Sequence, residues 1–184
     1  EVKARVAASE AEGAAWPRDP DGSPHYPEDD RHRGDDERRQ LMAGGMRHAW
    51  RLDMEKAIAT VNRQLTWQET VDGTPTIVAA DPAAWGDVIL SRSDAPSSYH
   101  LSVTVDDAEQ AITHVVRGRD LFQATAVHRL LQELLGLPQP LYHHHRLILD
   151  EDGRKLSKSE KSTGLQALRE AGASAADIRR RIGL

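Results

Sequence analysis

Apolar residues recur along this chain at two different spacings, and the spacings mark out its elements before any side-chain chemistry is considered. Val2, Val6, Ala7 and Ala11 fall at helical spacing and predict a helix over residues 1–12. Residues 13–36 show no period; four prolines and three glycines among charges predict a long loop. "RHAWRLDM" (47–54) reads as a short strand and "DMEKAIATV" as a short helix. "QLTWQETVDGTPTIVAAD" holds two alternating runs joined across Asp72-Gly73, the pattern of a hairpin.

From residue 86 the texture changes. "GDVILSR" predicts a strand and "SDAPSS" a turn; "YHLSVTVDD" predicts a second strand, because Leu101, Val103 and Val105 alternate, with "DDAEQ" closing it as a capped turn. "ITHVVRG" is a further apolar strand. "TAVHRLLQELLGL" predicts a helix with Thr125 as N-cap and Gly136 at its end, and "RLILD" predicts one more strand. Two short helices close the chain, opened by capping boxes of Thr163 with Gln166 and Ser174 with Asp177. Strands alternating with helices over 86–150 predict an α/β unit whose strands are mostly parallel.

Composition narrows the class. With 184 residues, 39% apolar and 29% charged, the chain fits a soluble globular protein of about one domain. No run of 18 apolar residues exists, so no membrane partner is expected, and the amino terminus lacks a secretory apolar core. There is no cysteine, which removes disulfides and thiolate metal sites and makes a reduced, cytoplasmic location the expectation. The net charge of −5 argues against a sequence-blind nucleic-acid binder, so any such contact must be a local patch.

One such patch is basic. After Asp152-Gly153 come Arg154, Lys155, Lys158 and Lys161, interleaved with small hydroxyls. No G-x-x-x-x-G-K-[ST] loop is present. A Gly-led loop with Lys155 and Lys158 three apart can still gather ammonium groups around a polyphosphate, with Ser157 and Ser159 as hydroxyl donors. Placed after a strand, it would sit at the carboxyl edge of an α/β sheet, where nucleotides bind. A solvated charged linker is the other reading of the same composition.

The segment "KLSKS" resembles the KMSKS signature of class I aminoacyl-tRNA synthetases, with Leu156 in the methionine position. Around it, Gly86-Asp87, Arg92, Asp94, Tyr99, "VDD", "HVVRG", Asp120-Leu121, Thr125, "LLGLP", the P-x-Y-x-H stretch and "KLSKS" follow in the order of the glutamyl-tRNA synthetase group. The end, "KSTGLQALREAGASAADIRRRIGL", is similar to that of glutamyl-queuosine tRNA(Asp) synthetases, short paralogues without anticodon-binding domains. The resemblance implies an inserted connective region over 1–85, with helix, long loop and hairpin. It implies the second half of a Rossmann-like nucleotide-binding domain over 86–150, and the KMSKS-type loop with terminal helices over 151–184.

It also implies a reaction. Glutamate would be activated by ATP with Mg2+, and its glutamyl group transferred to queuosine in the anticodon of tRNA(Asp). Lys158, with Lys155 beside it, would be catalytic and, with Ser157, would bind the ATP phosphates. Arg117 and Tyr99 would bind glutamate. Read from the residues alone, Arg117 could instead pair structurally with Asp120 or Asp106, and Tyr99 could be a half-buried strand aromatic. His144 matches a family histidine; on an extended segment only His143 and His145 share a face, so a three-histidine metal site is not expected.

Several departures from the family accompany the resemblance. No HIGH-type motif appears, so the amino-terminal half of the nucleotide fold is expected outside this chain, as a partner it would need for activity. Tyr26 remains from a zinc site, but Asp30 stands where its cysteine belongs, so zinc is not expected here. His128 replaces a glutamine at the start of its helix, a change expected to weaken a capping box without touching the chemistry. A truncated glutamyl-tRNA synthetase and a non-catalytic module binding tRNA or a partner remain as alternatives.

Overall fold

The hairpin predicted from alternation begins the main sheet. In the computed structural model, which describes residues 2–27, 29–71, 73–149 and 164–183, β2 (Thr66–Val71) pairs antiparallel with β3 (Thr74–Ala79). Asp72 lies outside the described residues; Gly73 follows it at φ +79°, a conformation that favours glycine. Leu65, Trp67 and Glu69 all point inward and are buried. β2 then pairs in parallel with β6 (Leu141–His145), and β6 in parallel with β5 (His114–Gly118), giving the order β3-β2-β6-β5. Two strands come from before residue 86 and two from after it. β1 (Ala49–Arg51) and β4 (Ile89–Arg92) form a separate antiparallel pair.

Two adjacent parallel strands need a crossover, and α5 (Thr125–Leu135) supplies it between β5 and β6. The apolar stripe predicted for α5 understates its burial. Thr125 to Gln132 are all buried, because the helix packs against α3 (Met54–Val61), α4 (Tyr99–Glu109) and β2. Most of its polar groups find partners within the core, although Gln132 Oε1 is buried with none among the described residues. Arg129 donates to Thr66 O at 3.2 Å and Glu133 Oε2 at 2.6 Å, and Gln132 Nε2 donates to Tyr142 Oη at 2.9 Å. Trp67, Val127, Leu130 and Tyr142 form the centre of the core, each such side chain contributing about 1.5–3 kcal/mol on burial.

The remaining helices are α1 (Val2–Ala11), α2 (Asp35–Ala43), α6 (Leu165–Glu170) and α7 (Ala175–Arg181). The loop between α1 and α2 is tied to the body. Trp16 Nε1 donates to His25 O, the His25 ring bonds Ala84 O at 3.1 Å, and Arg31 donates to Asp87 Oδ2 at 2.7 Å. Asp87 also accepts from Met54 N, joining the start of α3 to β4.

Four expectations need correction. Residues 99–109 form helix α4, where alternation predicted a strand. Ser98 Oγ accepts from Leu101 N at 3.3 Å as an N-cap, and packing on α5 outweighs the β-preference of Val103 and Val105. Thr125 is the first residue of α5 and not its cap; the cap is Ala124, and the Thr125 hydroxyl is used elsewhere. The last strand is Leu141–His145, ahead of "RLILD", because parallel partners on both sides take those residues. α6 is capped by Gly164 with no side-chain bond, whereas Thr163 lies outside the described residues. The Ser174–Asp177 capping box is present. No helix among the described residues is long and apolar enough to cross a membrane.

Candidate functional site

Three elements converge on Arg117. It projects from β5 in register with His144 of β6. The amino end of α5 brings Thr125 and His128, and the amino end of α4 brings Tyr99 and His100. Arg117 Nε donates to His144 Nε2 at 3.0 Å, and Nη1 bonds His128 Nδ1 at 3.1 Å. Nη2 donates to Thr125 Oγ1 at 2.7 Å and to Leu121 O at 3.3 Å. The guanidinium also lies 5.3 Å from the Tyr142 ring centroid. These hydrogen-bond acceptors are two imidazoles, a hydroxyl and a carbonyl, all neutral. Among the described residues they occupy four of the five guanidinium N–H donors and leave one on Nη1. A held cation whose acceptors are neutral suits a ligand carboxylate.

Tyr99, half exposed, reaches the same place. Its ring meets the ring of His128 edge-on at 5.8 Å between centroids and that of His100 at 5.8 Å. The structure therefore brings the two sequence-predicted glutamate residues together, with His128 between them. Tyr99 and His100 also line a cavity of about 480 Å³, together with Tyr26, Arg51 and Asp21. Arg117, part-buried, does not itself line it, and His128 stands between Arg117 and Tyr99. The substitution expected to weaken a capping box without touching the chemistry thus lies against Arg117 and Tyr99.

Behind Arg117 lies a buried carboxylate. Glu69 Oε1 accepts from His144 N at 2.7 Å, Oε2 from the His144 ring at 2.8 Å, and Oε2 also from Trp67 Nε1 at 3.2 Å. Burial acts to raise the pKa of Glu69, but the bonds from His144 and Trp67 outweigh it and hold the carboxyl below its usual range. His144 is lowered, first by burial and then by Arg117, against the pull of Glu69. Burial, Arg117 and the neighbouring His100 and His144 push His128 down to about 2. His100 is lowered by burial and by Arg117, although Asp21 and Asp19 act to raise it. All three imidazoles are neutral at physiological pH.

Sequence reading passed over Glu69, His100 and His128 as site residues. A signal existed for Glu69: it occupies an inward position of an alternating strand, where Leu65 and Trp67 predict an apolar residue. His128 carried one in its replacement of a family glutamine; His100 carried none, because the alternation of Leu101, Val103 and Val105 predicts a strand there. Lys155, Ser157 and Lys158 lie outside the described residues.

Tyr26 and Asp30 come together but do not fit a zinc ion. Tyr26 Oη donates to Asp30 Oδ2 at 2.6 Å, Arg33 pairs with the other carboxylate oxygen, and Arg51 lies 4.5 Å from the Tyr26 ring centroid. Burial first, then the bond to Asp30, keeps the Tyr26 phenol protonated. A protonated phenol and a carboxylate already answered by arginine are poor zinc donors. No group of three or more His, Cys, Asp or Glu placed to hold a metal occurs among the described residues.

Comparison with known proteins gives a consistent set of matches. The profile of class I tRNA synthetases (E and Q), catalytic domain, matches residues 18–182. A glutamyl-Q tRNA(Asp) synthetase of Rhodobacter capsulatus is 57% identical over 101 residues, 55% of this chain and 36% of that protein. Glutamate–tRNA ligase 2 of Methylobacterium radiotolerans is 38% identical over 144 residues, 78% of this chain and 30% of that protein. Among solved structures, the glutamate tRNA ligase of Elizabethkingia meningosepticum in complex with its amino acid matches at a TM-score of 0.63 and 27% identity. That match covers 86% of this chain and 30% of the other. The chain thus spans about a third of the length of these relatives.

Proposed function

Because the chain belongs to the class I tRNA synthetases (E and Q), in their catalytic domain, we propose that it serves the ATP-dependent activation of glutamate and its transfer to queuosine in tRNA(Asp). The observation that carries this reading is Arg117, held by neutral acceptors beside Tyr99. The guanidinium and the phenol hydroxyl suit the carboxylate of glutamate, and the one Nη1–H that has no partner among the described residues would donate to it. A preformed donor costs little to reorganise when the ligand arrives.

In the first step a glutamate carboxylate oxygen attacks the α-phosphorus of ATP and pyrophosphate leaves. Lys158 and Lys155, with Ser157, would balance the charge that grows on the phosphates, a role that rests on the "KLSKS" signature. Mg2+ would accompany the ATP phosphates. In the second step the tRNA acceptor attacks the glutamyl carbonyl of the adenylate, the bond to the phosphate breaks, and AMP leaves. Queuosine as acceptor is supported by the names of relatives such as that of Rhodobacter capsulatus. A second reading has its own support: the glutamate–tRNA ligase of Methylobacterium radiotolerans matches a larger share of the chain, which favours tRNA(Glu) as acceptor.

Glutamate-dependent ATP–pyrophosphate exchange tests the first step, on this chain and on a version extended upstream in its gene. Arg117→Ala and Lys158→Ala are each expected to lower exchange by about 100-fold or more. Undiminished exchange in Lys158→Ala would remove the loop from the reaction. Labelled glutamate offered with tRNA(Asp), with and without queuosine, and with tRNA(Glu) then decides the acceptor. Silence in both versions, with tRNA still bound, would favour a non-catalytic module.

A further inference from the structure

We propose that His128 is a positioning residue that, as the neutral Nε2–H tautomer, holds one Nη1–H of Arg117 and leaves the other to a single ligand carboxylate. The inference rests on the reading of Arg117 as a carboxylate site, and it follows from which atoms can donate. A guanidinium has no lone pair to offer, so every nitrogen it meets must accept. His144 Nε2 and His128 Nδ1 are both met in this way.

Those two contacts fix protons further out. His144 must carry its proton on Nδ1, where Glu69 Oε2 accepts it at 2.8 Å. His128 must carry its proton on Nε2, where His100 Nδ1 accepts it at 3.0 Å. The remaining proton of His100, a residue of the cavity wall, is then on Nε2. Thr125 Oγ1 also lies 3.3 Å from His144 Nε2, but that lone pair is taken by Arg117. The Thr125 hydroxyl therefore turns to Leu121 O at 3.4 Å. From Glu69 to His100 only one arrangement of protons satisfies every contact. A proton added to His128 would set an N–H against the guanidinium.

The arrangement distinguishes substitutes by chemistry and not by size. A glutamine at 128 has an amide oxygen to accept from Arg117 and an NH2 group to donate to His100, so His128→Gln should keep the network. Phenylalanine fills a comparable space and can do neither.

Nitrogen-15 and proton NMR of this chain, with and without glutamate, decides the matter. In the wild type the Nδ1 of His128 should be unprotonated, and the Arg117 Nη1–H that it accepts should exchange slowly with water. His128→Gln should keep the slow exchange, and His128→Phe should lose it by 10-fold or more. A protonated Nδ1 in the wild type overturns the proposal without any variant, so a variant that fails to fold does not shelter it. Slow Arg117 exchange persisting in a folded His128→Phe overturns it as well. Glutamate is a separate arm. Shifts at Tyr99 and Arg117 in the wild type, weakened 10-fold or more in His128→Phe, extend the positioning role to the ligand. Their absence in the wild type counts against glutamate at Arg117, while the tautomer and the exchange still judge His128.

Discussion

Three neutral imidazoles around one guanidinium make the site sensitive to acid. His128 is faced by Arg117 from β5, His144 from β6, and Tyr99 and His100 from α4. Its folded pKa of about 2 lies far below the ordinary 6.5. Between those values the unfolded chain binds a proton that the folded chain refuses, so stability is full above 6.5 and falls as the pH drops. His128 alone costs about 2 kcal/mol between about pH 6.5 and 5. His100 and His144 are shifted the same way and add to the loss. Glu69, held below its ordinary 4.5, adds a further loss under that value. Thermal melts from neutral to mildly acidic pH should show this decline, and His128→Gln should make the profile shallower.

At the scale of elements, the outcome at α4 shows how a cap and a neighbour can outweigh propensity. Leu101, Val103 and Val105 alternate as in a strand, yet Ser98 caps a helix that packs on α5. Ser98→Ala should cost about 1 kcal/mol in urea unfolding. It should also loosen the amino end of α4, which carries Tyr99 and His100. Leu130, fully buried in α5, is a contrasting case. Leu130→Ala should cost about 2–5 kcal/mol through a cavity, since α3, α4 and the sheet already enclose the helix. A loss under about 1 kcal/mol would mean that α3, α4 and the sheet do not enclose Leu130.

For the whole molecule, the metal question gives the plainest expectation. Tyr26 and Asp30 bond each other and Arg33, so neither a chelator nor added zinc should move the melting temperature; a rise with zinc would show binding to the native state. The local patterns of the chain were sufficient for the hairpin, for strands β1, β4 and β5, for helices α1, α3 and α5, and for the Ser174 capping box. Each of these depends on residues close in sequence, where periodicity and turn chemistry act directly. "KLSKS" and its flanks likewise pointed to the family, because a signature is local. The site is another matter. Tyr99 and Arg117 could be named one by one, but Glu69 meets His144 across 75 positions, and His128 meets His100 across 28. No period relates such residues. Their protons are fixed only when β2, β6, β5, α5 and α4 pack together, since burial removes the water that would otherwise satisfy each imidazole singly.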